Sequence, residues 1–196
     1  MSRIIRLAKR EDAAAIARIY APFCASSAIT FETEALSADQ MAERFEKLSQ
    51  RYPWLVMDIE GDIAGYAYGG PHHERAAYRW ASNVSVYVDD TYRRAGVGRD
   101  LYRALFGVMR LQGFVQAIAG ITMPNDPSVA LHKSLGFQLM GIYKNIGYKL
   151  GAWRDVGWWQ LPLTEKLHAP SDTLPIPVVA QLPEFSAVLA SSLARN

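Results

Sequence analysis

The stretch from Asn83 to Leu111, NVSVYVDDTYRRAGVGRDLYRALFGVMRL, decides the fold. It opens on a short apolar strand, Val84-Ser85-Val86-Tyr87-Val88, and passes through the loop Arg93-Arg94-Ala95-Gly96-Val97-Gly98. An amphipathic helix follows at once, with Leu101, Leu105, Val108 and Leu111 on one stripe. Two glycines and two arginines between a strand end and a helix start make a site for phosphate oxygens. Glycine lets the backbone come close to a ligand, so that free N–H groups at the helix start point at an anion. The arginines add charge and forked donors. A pyrophosphate-bearing cofactor is the reading. The chain has no Gly-x-x-x-x-Gly-Lys-Ser/Thr run, and Gly96-Val97-Gly98 continues as Arg99-Asp100-Leu101 without the third glycine of a dinucleotide fingerprint.

Upstream, Arg3 to Leu7 reads as a strand, and Ile16, Ile19, Tyr20 and Phe23 form one helical stripe within Asp12 to Phe23. Ser37-Ala38-Asp39-Gln40 has capping-box spacing and opens a second helix carrying Met41, Phe45 and Leu48. Trp54 to Ile59 and Ile63 to Tyr68 flank Glu60-Gly61-Asp62 as a β-hairpin. Downstream, Phe114 to Thr122 reads as a strand. A short helix then starts with Asp126 as its cap and Pro127 in its first position, and Gly136 ends it. Phe137 to Tyr143 and Val156 to Leu163 close the set. Hairpin and crossover links alternate, so a single mixed sheet with helices on its faces follows. Beyond Leu163 the composition shifts: Pro170, Pro175, Pro177 and Pro183 break up a tail, docked or loose, whose stretch Glu184 to Leu193 suits a short helix.

The 196 residues suit one domain with an appendage, and half of them are apolar, enough for a core. A net charge of +2 gives no sign of nucleic acid or of an anionic membrane as partner. The N-terminal MSRIIRLAKRED reaches charges too soon for a secretory signal, and no apolar run spans a bilayer. Cys24 is the only cysteine, which rules out an intramolecular disulfide and a cysteine zinc cluster. A cytoplasmic protein without a metal is expected.

The spacing Arg-x-x-Gly-x-Gly after a strand resembles the acetyl-CoA loop of the GCN5-related N-acetyltransferase (GNAT) family. Asn125, followed by Ala130-Leu131-His132-Lys133-Ser134-Leu135-Gly136-Phe137, resembles that family's second signature. Within the family the sequence is most similar to the phosphinothricin-type acetyltransferases. The carrying residues are Tyr52 to Val56, Ala67 to Pro71, Ser85 to Val88, Pro124 to Val129 and Gly151 to Gly157. The resemblance covers Ile4 to Leu163 and implies an α/β (α+β) fold, with a single mixed, mostly antiparallel sheet flanked by helices and splayed at the acetyl-CoA site. It places the acetyltransferase domain at residues 1–163 and the proline-containing tail at 164–196.

It further implies that Val86, Tyr87 and Val88 pair through their backbone with the pantetheine arm, one N–H serving the oxyanion. Arg93, Arg94, Ala95, Gly96, Val97 and Gly98 would hold the pyrophosphate, and Asn125 joins the cofactor residues. Asn83 stands where phosphinothricin-type enzymes usually carry a glutamate base, and an amide accepts no proton at neutral pH. Three explanations stay open: a water relay to Glu32, His72, His73 or Asp155, an amine already partly neutral, or poor activity. His132 stands where family members place the group that protonates the leaving thiolate, as an imidazolium here or else as a packed helix residue. Phe31, Glu32, His73, Arg75 and Tyr78 match substrate-contacting segments, with Arg75 able to clamp a carboxylate and His73 replacing a basic residue of the herbicide-acetylating members. Trp153, Trp158 and Trp159 read as core and interface aromatics. The expected activity is transfer of acetyl from acetyl-CoA to a small amino-acid-like amine of the phosphinothricin or methionine sulfone and sulfoximine type. The alternatives are a protein or peptide acceptor, or a weakly active acetyl-CoA-binding module. A homodimer is expected from the resemblance and from the aromatic-rich strand around Trp158 and Trp159.

Overall fold

Glu60 and Gly61 both take positive φ, 55° and 96°, the backbone of a two-residue hairpin turn whose twist matches the flanking strands. The turn joins β2 (Trp54–Ile59) to β3 (Asp62–Pro71), with Ile59 opposite Asp62. β1 (Arg3–Leu7) lies on the far side of β2, and β4 (Ala81–Val88) pairs antiparallel with β3. The computed structural model describes residues 2–165 and 169–193; His168 of the tail lies outside them.

Past β4, the glycine loop leads into α3 (Val97–Gln112), which crosses over to β5 (Gln116–Met123), parallel to β4. α4 (Asp126–Ser134) follows, then β6 (Gln138–Lys149) and β7 (Ala152–Pro162). β7 inserts between β5 and β6, giving one seven-stranded sheet in the order β1-β2-β3-β4-β5-β7-β6, antiparallel everywhere except β4–β5. This is the mixed, mostly antiparallel sheet expected from the sequence.

Alternation along β4 sorts the two faces. Val84, Val86 and Val88 point to the face covered by α3, where Leu101, Leu105 and Met109 are sealed from solvent. Tyr87 points to the other face, beneath α1 (Ala13–Ser26) and α2 (Ala38–Ser49), with Ile16, Tyr20, Met41, Trp54 and Tyr66. Ser37 caps α2 as its spacing predicts, its hydroxyl accepting from Gln40 N while the Gln40 side chain returns to Ser37 N.

Two boundaries differ from expectation. β6 and β7 extend to a second two-residue turn, Leu150-Gly151, with φ of 53° and 74°. A leucine in the left-handed region carries no turn signal, and irregular pairing between Tyr143 and Gly147 hides the strand's period. The N-cap of α4 is Asn125, whose Oδ1 accepts from Ser128 N, so Asp126 and Pro127 are the first two helical residues. The tail is docked. Ile176 and Val179 of α5 (Ile176–Val179) and Phe185 of α6 (Glu184–Ser191) pack on Val108 of α3, and Gly107 leaves the room that Val188 fills. Gln112 Nε2 donates to Arg51 O and Leu174 O, tying the tail to the end of α3.

Candidate active site

β4 and β5 pair over three positions only, Ala81 with Gln116, Ser82 with Ala117 and Asn83 with Ile118, and then splay. From Val84 on, β4 keeps its β3 partner but has no strand on its β5 side among the described residues. The exposed main-chain edge is an unfilled strand position, and backbone groups there need a partner. A narrow cleft of about 60 Å³ enters the wedge, lined by Val84, Val86, Ile121, Asn125, Ser128 and His132, among others.

α3 starts at the mouth of this wedge. Gly96 precedes it at φ 81° and caps it with no side chain, so its first-turn N–H groups face outward. Arg94 also adopts a left-handed φ of 61° and Ala95 O accepts from Arg3 Nη2 at 2.8 Å, which fixes the loop. A Cβ at Gly98 would stand 3.5 Å from the Leu131 and Val88 side chains, an ordinary contact distance, so glycine there leaves the main chain bare without being required by crowding. Arg93 pairs with Asp90 and lies over the Phe23 ring at 5.9 Å, which turns it toward α1. Splayed strands, an uncapped helix start and a glycine cradle together fit a long thiol carrier with a pyrophosphate. Among the described residues no cluster of histidine, cysteine, aspartate or glutamate is arranged to hold a metal ion.

His132, on α4, is buried against Tyr102 and Phe137. Burial lowers its pKa, partly offset by the carbonyl of Ser128, so the ring is neutral at pH 7. Nδ1 donates to Ser128 O at 2.8 Å, and Nε2 faces the Tyr102 hydroxyl at 3.2 Å. That differs from the imidazolium suggested by the sequence.

On the opposite face of the wedge lies a cavity of about 440 Å³. Phe31 and Glu32 line it from the loop between α1 and α2, Ser85 and Tyr87 from β4, Tyr143 and Ile146 from β6, and Trp158 from β7. The Trp158 indole lies over Gly120, 3.5 Å from where a Cβ would stand, and this tryptophan, read from the sequence as a core or interface aromatic, is a wall of the cavity. Trp159, its neighbour on the other face, is the buried one. Lys149 is buried as well, its Nζ donating to the carbonyls of Phe23, Thr30 and Glu32 at 3.3, 2.8 and 2.7 Å. It pins the loop that carries Phe31, and Gly147 makes room for the Phe31 ring. Neither residue has a sequence signal, since a lysine near a strand end reads as solvated.

A second cavity, of about 660 Å³, adjoins the first through Tyr68 and Ser85 and is lined by Arg44 and Asn83. Glu32 is committed to Arg44, Oε1 to Nη2 at 2.6 Å. Asp155 is held below the usual carboxylate range by Lys144 Nζ and Asn145 N, each at 2.9 Å. His73, Arg75 and Tyr78 do not line either cavity; they sit on the exposed loop beyond β3, where His73 packs on Tyr78 and its Nδ1 accepts from Arg75 N. Asn83 Oδ1 lies 3.0 Å from His72 Nδ1, and Asn83 Nδ2 donates to Pro71 O.

Comparison with known proteins agrees with this geometry. A model of the acetyltransferase (GNAT) domain matches residues 5–158. The chain is 40% identical over 178 residues to a phosphinothricin N-acetyltransferase of Streptomyces viridochromogenes, covering 91% of this chain and 95% of that protein. It is 36% identical over 172 residues to an L-methionine sulfoximine/L-methionine sulfone acetyltransferase of Pseudomonas aeruginosa, covering 87% of this chain and all of the relative. A crystal structure of a phosphinothricin acetyltransferase from Sinorhizobium meliloti in complex with acetyl-CoA superimposes with a TM-score of 0.84 at 34% identity, over 89% of this chain and 96% of that one.

Proposed function

The chain belongs to the GNAT acetyltransferase family, and from that premise we propose that it acetylates the amine of a small amino-acid-like molecule, of the phosphinothricin or methionine sulfone and sulfoximine type. It is an N-acetyltransferase that uses acetyl-CoA as donor. One observation carries the acceptor class: the cavity opposite the wedge measures about 440 Å³ and is walled by Phe31, Tyr143, Ile146 and Trp158, a volume within the range of small-molecule sites.

Acetyl-CoA supplies an activated thioester. The residues proposed to receive it are the backbone of Val86, Tyr87 and Val88 along the wedge, the loop Arg93 to Gly98 at the pyrophosphate, and Asn125 at the head of α4. Helix-start N–H groups suit phosphate because they are unpaired donors at the positive end of a dipole. A main-chain N–H on the open edge of β4 suits the oxygen that gains charge as the amine adds. Tyr102 and His132 border the same cleft, and the Tyr102 hydroxyl, on turning its proton away from His132 Nε2, is the proposed donor to the departing sulfur. Phe31 and Glu32 shape the acceptor cavity; Arg75, on the exposed loop with His73 and Tyr78 and outside the cavity lining, is the proposed partner of an acceptor carboxylate that projects from the cavity mouth.

Two finer assignments belong to the same proposal. The protein works in the cytoplasm; among the described residues no helix is long and apolar enough to cross a membrane. It works as a homodimer: Met140, Tyr143, Ile146 and Tyr148 leave the edge strand β6 more than half exposed, an apolar strip suited to a second copy. Tyr143 and Ile146 also line the acceptor cavity, so the second copy would wall it further.

A thiol-release assay with acetyl-CoA tests the acceptor class, comparing amino acids, sulfones and sulfoximines with their decarboxylated amines and with a short peptide. Free amino-acid-like amines are expected to turn over fastest. Arg75→Ala should raise KM for the carboxylated acceptors by about tenfold, the worth of one charge-assisted contact, and leave the decarboxylated amines unchanged. Preference for the peptide would overturn the assignment.

A further inference from the structure

An amino-acid amine arrives as an ammonium, which must shed a proton before its nitrogen can bond to carbon. Few groups at the acceptor cavity can take that proton. Glu32 is bound to Arg44, and Asp155 is held ionised by Lys144 and Asn145 N, which makes it a poor base. The phenols of Tyr20, Tyr68 and Tyr87 are kept protonated by burial. His132 lies on the cofactor side with both ring nitrogens engaged.

His72 differs from all of these. It is half-buried just beyond β3 and outside the lining of either cavity, its ring 5.8 Å from Tyr78 and 6.4 Å from Trp158, the indole that walls the acceptor cavity. Its Nδ1 faces Asn83 Oδ1 at 3.0 Å. The orientation of that amide is set independently, because Asn83 Nδ2 donates to Pro71 O at 3.2 Å. With an acceptor oxygen in front of it, Nδ1 must carry the ring proton, and the lone pair is then on Nε2. We propose that His72, fixed in this tautomer by Asn83, is the base that accepts the proton of the acceptor ammonium at Nε2, across one bridging water. Asn83 is the positioning residue. The titratable groups facing the ring are the Tyr78 phenol and its chain neighbour His73; β4 and β7 present the neutral Asn83 and Trp158.

The inference rests on acetyl transfer to an amine. The ammonium gives one proton to Nε2, and the freed lone pair bonds to the acetyl carbonyl carbon. As the C–S bond breaks, sulfur leaves as thiolate and takes the second proton shed by the nitrogen. The His72 imidazolium returns its own proton to solvent, leaving the amide, CoA and one released proton.

The test measures kcat/KM against pH for the wild-type protein, His72→Gln, His72→Ala and Asn83→Asp, on whichever amine the wild type acetylates. The outcome for His72 is thereby separate from the acceptor class: failure of amino acids as acceptors changes the amine used, whereas failure of His72 leaves wild-type turnover intact. The wild-type profile should rise with pH through an inflection that His72→Gln loses, together with about a 10²-fold or greater fall at pH 7. Added imidazole should restore turnover to His72→Ala, which a packing role would not allow. Asn83→Asp should move the inflection upward, since a carboxylate favours the imidazolium. Acetyl-CoA affinity by calorimetry should stay unchanged in every variant. A folded His72→Gln protein with near-wild-type turnover and the same inflection would overturn the proposal, as would failure of imidazole rescue in a folded His72→Ala protein.

Discussion

Lys149 shows how one side chain can govern a site it does not enter. Its ammonium satisfies the carbonyls of Thr30 and Glu32 in the loop that carries Phe31, and that of Phe23 in α1. Lys149→Met leaves those acceptors unpaired, at a cost of roughly 1–3 kcal/mol for each one kept from water. A lowered Tm and a raised acceptor KM are expected with acetyl-CoA affinity retained; an unchanged KM would show that the loop holds its shape unaided. His132 makes a second expectation, in pH. Its folded pKa lies below the unfolded value because burial disfavours the charge. Between the two values the unfolded chain binds more protons, so this contribution to stability is complete above about pH 6.5 and is lost as pH falls through the folded pKa. Thermal melts from pH 8 to pH 5 should show a steeper fall for the wild type than for His132→Gln, and parallel curves would count against a buried neutral ring.

At the scale of elements, the loop entering α3 is the point of greatest leverage. Gly96 stands at φ 81°, a backbone that a β-branched residue strongly resists. Gly96→Val should twist the first turn of α3 away from the pyrophosphate and weaken acetyl-CoA binding by about a hundredfold or more, the worth of two charge-assisted hydrogen bonds. Calorimetry on the folded variant decides it, and unchanged affinity would sink the cofactor role of the loop. This element was the most legible in the sequence, because strand, glycines and amphipathic helix each leave a local signature. The capping box at Ser37 and the Glu60-Gly61 turn were legible for the same reason. The turn at Leu150-Gly151 was not, since tertiary pairing of β6 with β7 imposes a left-handed leucine that no local preference announces. The wall formed by Trp158 was hidden too: the sequence shows adjacent tryptophans, but only the sheet register separates the one facing the cavity from the one in the core. The pairing of His72 with Asn83 joins neighbouring strands and likewise has no spacing to read.

For the whole molecule, the question is what covers β6. An edge strand with Met140 and Tyr148 more than half exposed is a poor terminus for a sheet left in water. Light scattering should report a dimer at micromolar concentration, and Met140→Glu should shift it to monomer while acetyl-CoA binding persists. A wild-type monomer would remove the second copy from the account. The wedge between β4 and β5 has its own consequence for a working cell. CoA differs from acetyl-CoA by the acetyl group alone, so with the carrier held along the splayed strands and the glycine loop as proposed, spent carrier would compete for the same contacts as charged carrier. Turnover would then follow the proportion of the carrier pool that is acylated, and CoA is expected to inhibit competitively against acetyl-CoA; a lack of such inhibition would count against the proposed seat.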